Sequence, residues 1–403
     1  MLRDLVTLTN VEPKFWASVF NVAPEQFYEW MSGTRHIPKY ILPELASVFG
    51  VQPSDIEKNQ FEGGELQPAI WYKLRSIPSV SSTADLEMVG MVRKLCFNFG
   101  ELQSFLSRTT GAYEGVFQRV RSAIDKAAPV ISQAREAARM FRAEMGWETG
   151  GTAIGDFIRP VLRKIGIVIV ESPVPDSLIE GCSFRVKSTH DIACVFANSY
   201  QSTWFRRNSV ILHEICHGIF DLEGEPVSVD YRRETSDDIS ERRANLFAQE
   251  CLVPKAVLVY LVNRFGIHWE RLSAKNLASL IAGSKAEQRL VLRAALSHKM
   301  ITPDQHDEYL KFDCAADLKK LSPQALTTRE FLATVPHDQH KWFFQDRFVK
   351  IGGRGLLLPV GFLKIVIELL SADRITIDKA AELTMMDRYT FQERFRQMLP
   401  EAA

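Results

Sequence analysis

The stretch SVILHEICHGIF, residues 209–220, decides how the chain reads. Residues four apart on an α-helix share a face, so His213 and His217 can direct their imidazoles to one point, with Glu214 beside the first. The flanking side chains Val210, Ile211, Leu212, Ile215, Ile219 and Phe220 are apolar, as a helix crossing a core requires. Two histidines and a glutamate are costly on such a face unless something compensates them, and a cation does so. Zinc favours imidazole nitrogen, and a catalytic zinc takes three protein ligands and leaves the fourth position to water. Glu214 is positioned to reach that water as general base. An HExxH string alone arises by chance in roughly one chain in a hundred of this length. The surrounding sequence has to supply the third ligand.

A compact HExxHxxGxxH site needs glycine and histidine three and six residues after His217, where Phe220 and Glu223 stand. Asp221, one turn beyond His217, is one alternative ligand, or it simply ends the helix. The stronger candidate lies in DDISERRANLFAQECLVP, residues 237–254. Glu241, Ala244, Ala248 and Cys251 or Leu252 share one helical face, the alanines permit close approach, and Glu241 is its only carboxylate. Asn245, a turn further on, is placed for a hydrogen bond behind the ligands. Glu234, Asp237 and Asp238 compete as acids but are expected to be solvated or to cap the helix.

With these residues in view, the chain resembles the ImmA/IrrE-type metallopeptidases over about residues 135–255. The matching positions are Asn198, Arg206 and Arg207, HEICHGIF, and ERRANLFAQECLVP. The resemblance implies Zn²⁺ held by His213, His217 and Glu241, with Glu214 catalytic. Cys216 stands where the family usually has glycine, and NSVIL replaces the usual FTLA before His213. The implied activity is that of a zinc-dependent regulatory endopeptidase cutting a specific protein target, such as a repressor or antitoxin. The alternative is a DNA-binding regulator or toxin–antitoxin component whose zincin domain is a sensor or scaffold. Tyr200, Arg206, His190 and Tyr231 are candidate second oxyanion donors. The strand around Ala193–Asn198 is a candidate to pair with an extended substrate.

Residues 1–60 form a helical pattern of their own. FWASVFNVAPEQFYEW has helix-turn-helix spacing, with Ala17 small, Val19, Phe20 and Val22 apolar, and Phe27 and Trp30 on the second helix. With SGTRHIPKYILPELASVFGV it resembles a phage-repressor-like (XRE-type) domain over residues 5–57, a module that the peptidase family commonly carries. In that family the second helix enters the major groove, so Pro24, Glu25, Gln26, Tyr28 and Glu29 would face DNA. Residues 1–60 hold five basic and seven acidic side chains, a net charge of −2, which disfavours phosphate contact. DNA binding and protein contact both stay open for this module.

Composition sets outer limits. The 403 residues are 46% hydrophobic and 24% charged, with zero formal net charge, so no global footprint for nucleic acid or anionic lipid exists. No run approaches a membrane span, no secretory signal opens the chain, and a cytoplasmic location is expected. The six scattered cysteines are expected to be reduced thiols. The expected fold is mainly α with a small β-sheet. It comprises a helix-turn-helix domain (1–60), a helical extension (61–134), a zincin-like metallopeptidase core (135–258) and a helical C-terminal region (259–403). IGIVIVESP and DIACVFANS predict two strands ahead of the HEICH helix. Arg119, Arg121, Lys126, Arg135, Arg139 and Arg142 form a basic stripe, read as a solvated face. Residues 374–395 repeat a helix-turn-helix rhythm read as plain packing, and His337 and His340 read as surface. A homodimer is conceivable.

Overall fold

The computed structural model describes residues 2–9, 11–49, 51, 53–58, 83–106, 112–147, 151, 153–175, 177, 179–187, 191–221, 227–231, 239–322, 327, 330, 348–351 and 354–398. His190, Glu234, Asp237, Asp238, His337 and His340, the expected break at 60–68 and the side chain of Tyr231 lie outside the described residues.

Five short helices open the chain: α1 (Leu2–Thr9), α2 (Pro13–Val19), α3 (Pro24–Ser32), α4 (Leu42–Phe49) and α5 (Pro53–Lys58). Pro13 and Pro24 begin α2 and α3, where a missing N–H costs nothing, and Gly33 ends α3 in a left-handed conformation at φ 76°. The long helix α6 (Thr83–Leu106) follows, then α7 (Ala112–Ser122), α8 (Val130–Glu144) and α9 (Ile158–Lys164).

Strands β1 (Val168–Ser172), β2 (Ile179–Lys187), β3 (Asp191–Asn198) and β4 (Val227–Tyr231) form one sheet in the order β1-β3-β2-β4. β1 runs parallel to β3, and the other pairings are antiparallel. β3 buries both faces: Ile192, Cys194 and Phe196 join one core, Ala193, Val195 and Ala197 the other. A near-continuous apolar run is what a strand covered on both sides requires. On the first side lie α1–α5, α6 and the last three helices. On the second lie α7–α9, α10 (Trp204–Phe220), α11 (Ile239–Leu252) and α12–α16 (Lys255–Phe265, Ala274–Ser284, Gln288–Ser297, Pro303–Tyr309, Ala315–Leu321). A hairpin, β5 (Phe348–Ile351) with β6 (Arg354–Leu357), precedes α17 (Val360–Ser371), α18 (Ile377–Leu383) and α19 (Arg388–Met398).

The molecule is thus mostly helical with a small sheet. Several sequence expectations need correction. The two expected strands are β1 and β3, β2 and β4 complete the main sheet without having been expected, and a hairpin interrupts the C-terminal helices. β3 cannot pair with a substrate, because β1 and β2 occupy both its edges. Arg119, Lys126, Arg135 and Arg139 of the basic stripe are exposed, as a solvated face requires, and its arginines take separate partners. Arg119 pairs with Glu144, Arg121 with Glu114, Arg135 with Glu250 and Arg139 with Glu136, while Arg142 is buried and donates to the carbonyls of Cys251 and Trp147. All six cysteines are buried free thiols. Among the described residues no single helix is long and apolar enough to cross a membrane.

Candidate metal centre

α10 starts at Thr203, whose hydroxyl accepts from the Arg206 amide at 3.2 Å, a cap worth about 1 kcal/mol. Its first turn is clamped from several sides. Arg207 donates to Glu171 at 2.8 Å and to the Ser202 carbonyl at 2.7 Å. Arg159 grips the same Glu171 through two bonds, at 2.6 and 2.7 Å, and also donates to Asn208. Its guanidinium lies 3.5 Å from the centre of the Trp204 ring. Burial raises the Glu171 carboxyl, but the two guanidiniums outweigh it and hold it down to about 2. Buried Asn198 donates to the carbonyls of Val174 and Ile179 and accepts from the amides of Val174 and Tyr200, which ties the end of β3 to the approach of β2. These residues of the resemblance are therefore scaffold rather than site.

From this start α10 carries His213, Glu214 and His217 into the interior, all three buried. α11 packs alongside because Ala244 and Ala248, 0% and 2% exposed, let the two backbones approach. That packing delivers Glu241 to the histidines. The Nε2 atoms of His213 and His217 stand 3.0 Å apart. One carboxylate oxygen of Glu241 lies 3.1 Å from His213 Nε2 and the other 3.2 Å from His217 Nε2. Burial opposes charge on both groups, yet the histidines hold the Glu241 carboxyl far below its usual range. Asp221 and Glu241 push His217 up to about 10.

Asp221 is the C-cap of α10, and its carboxylate meets Nδ1 of His217 at 2.8 Å, on the ring nitrogen away from Glu241. It therefore orients His217 and is not a third member of the cluster. Arg243, from α11, donates to the other Asp221 oxygen at 2.5 Å and lies over the Phe220 ring. Asn245 does not stand behind the ligands: it is exposed, and its amide donates to the Glu241 backbone carbonyl at 2.9 Å. Arg206 sits two turns before His213, about 10 Å along the helix axis, in ion pairs with Glu180 and Glu287.

Glu214 is fully buried against β2. A Cβ at Gly181 would stand 2.9 Å from a Glu214 carboxylate oxygen and 2.5 Å from a Val210 methyl, so only glycine lets β2 pass this close to α10. Sequence reading did not single out Gly181, nor the Arg243–Asp221–His217 chain. The i, i+4 spacing of His217 and Asp221 was the available signal.

The donor set suits a tetrahedral cation. Ligands about 2.0–2.1 Å from zinc lie about 3.3 Å from one another in a tetrahedron, and the three contacts here span 3.0–3.2 Å. With Nδ1 of His217 bonded to Asp221, a zinc ion would have only the second proton to displace, at Nε2, the nitrogen that faces the cluster. Among the described residues this is the one group of three metal-binding side chains whose ligand atoms converge.

Residues 162–280 match the family model Peptidase_M78, the IrrE N-terminal-like domain. The matched span runs from α9 through the sheet, α10 and α11 into α13, and it supports a metallopeptidase-type domain in this part of the chain. No curated protein and no solved structure matches the chain.

Proposed function

We propose that the protein is a zinc-dependent endopeptidase acting on a specific protein target, a repressor or antitoxin being the type of target expected. The observation that carries this reading is the convergence of His213, His217 and Glu241 beside a buried Glu214. Zinc held by His213, His217 and Glu241 would supply Lewis acidity toward a peptide carbonyl and would acidify a water molecule. Glu214 would serve as general base toward that water and would return the proton to the departing amine. His213 and His217 keep their Nε2 atoms aimed at one point, Glu241 balances the charge, and Asp221 with Arg243 fixes the His217 ring.

Among the described residues β1 and β4 are the two edges of the main sheet, and β4 is the one beside β2 and Gly181. β4 pairs only with β2 among the described residues, and its Asp230 lies opposite Gly181, the residue against Glu214. An extended peptide adding to that edge would run antiparallel or parallel to β4, about 10 Å from β2. Tyr200 remains a candidate oxyanion donor, whereas Arg206 is engaged elsewhere.

A second reading is a regulator that uses residues 1–60 for DNA or protein contact. It draws support from α3, where Glu25, Tyr28 and Glu29 face solvent while Phe27 and Trp30 are buried. The exposed acids favour a protein partner over phosphate.

The test is a comparison of protein N-termini in host cells producing the wild-type chain or Glu214→Gln at equal levels. At least one new N-terminus dependent on Glu214 is expected. Identical sets of N-termini would remove the peptidase reading in favour of the regulator.

A further inference from the structure

A second feature lies at the β1 edge of the sheet. Between α6, the turn from α9 into β1, and the start of α17 is a cavity of about 270 Å³. Its walls are largely apolar, and Phe99 and Phe362 stack there with ring centres 5.8 Å apart and planes 26° apart. Ile365 continues that wall one turn along α17.

The polar groups that line this cavity are few. Gln103, one turn beyond Phe99 on α6, is 7% exposed and lines the cavity, and its side chain makes no hydrogen bond among the described residues. That leaves its amide open to a ligand in the cavity. Arg163 and Lys164 also line the cavity, at the end of α9. The 12-residue helix α17 begins at Pro359 with no side-chain cap on its first turn, so its positive end faces the same space. Gly361, in that first turn, also lines the cavity, and a Cβ there would meet nothing within 4 Å. Glycine in a helix costs up to about 1 kcal/mol relative to alanine, and no packing contact requires it here.

Two cations, an uncapped helix start and a buried amide, joined to an aromatic and aliphatic wall, match one kind of ligand. We propose that this cavity binds a small carboxylate with an apolar body. The carboxylate would meet Gln103, Arg163, Lys164 and the first turn of α17, and the body would lie over Phe99 and Phe362. The volume falls just below the usual range for drug-sized ligands, which limits the body to a short chain or a single ring. Such a ligand would fasten the β1 edge to α6 and α17, and no lining residue belongs to the candidate metal cluster, so the proposal does not rest on peptidase activity.

Calorimetric titration of the full chain with octanoate, below its micellar concentration, tests this. Octanol shares the tail without the charge, and acetate shares the charge without the tail. Octanoate is expected to bind once per chain, at least tenfold more tightly than either control. Gly361→Leu places a side chain into open space, so it should unfold at an unchanged or higher temperature while losing at least tenfold in octanoate affinity. Gln103→Leu should weaken binding severalfold. Absence of saturable octanoate binding, equal binding of octanol, or undiminished binding in Gly361→Leu would overturn the proposal.

Discussion

At the scale of single residues, Asp221 and Glu171 each hold another group in place. Asp221 fixes the tautomer of His217 by accepting from Nδ1, so Asp221→Asn should weaken zinc affinity about 10- to 100-fold without unfolding the chain. A competition titration against a zinc chelator reads this directly. Unchanged affinity would mean that the contact does not orient the ligand.

Glu171 acts on stability. Its folded carboxyl lies at about 2 against an ordinary 4.5, so its stabilisation is fully present above about pH 4.5 and fades as pH falls toward 2. The displacement corresponds to something on the order of 3 kcal/mol. Glu171→Gln should therefore lose stability at pH 6, and the gap from wild type in urea unfolding should narrow between pH 4.5 and 2.5. A gap independent of pH would contradict this role.

At the scale of elements, the site depends on two helices and a strand meeting at small residues. Ala244 and Ala248 bring α11 to α10, and Gly181 lets β2 pass over Glu214. Gly181→Val should push Val210 and Glu214 aside, reducing peptide hydrolysis at least tenfold while zinc is retained. Loss of zinc together with activity would place the damage in the helix pair instead. The sequence displayed the two helices clearly, because their histidines, glutamate and alanines recur at helical spacing. It displayed the strands unevenly. β1 and β3 are rich in β-branched and apolar residues, whereas in β2, IEGCSFRVK, Cys182, Phe184 and Val186 alternate with Ser183, Arg185 and Lys187, a shorter signal broken by the register shift between Ile179 and Gly181. Gly181 was unreadable because its purpose is a contact with a helix some thirty residues away.

At the scale of the whole molecule, α6 joins the beginning and the end of the chain to the sheet. Trp16 from α2 sits where a Cβ on Gly90 would come within 2.8 Å of its ring. Buried Lys94 pairs with Glu44 at 2.7 Å, and buried Arg93 donates to the Val48 carbonyl at 3.0 Å. From the other end, Asn98 donates to the carbonyls of Glu382 and Leu383. Gly90→Val should therefore loosen the N-terminal helices, seen as faster amide exchange in α2–α4, while zinc binding persists. Equal exchange in variant and wild type would show that α2 tolerates the bulk. None of these contacts was legible in the sequence, because each pairs residues far apart in the chain. The metal cluster was legible because two of its three members lie on one helix and the third on an alanine-lined helix nearby.

The central claim is that His213, His217 and Glu241 together hold one zinc ion beside Glu214. Metal analysis of the purified chain tests it most directly. Wild type and Glu214→Gln should each carry one zinc per chain, and Glu241→Ala should carry less than a tenth of that while remaining folded. Full zinc retention by Glu241→Ala, or a wild-type chain that takes up no zinc when supplied with it, would contradict the account.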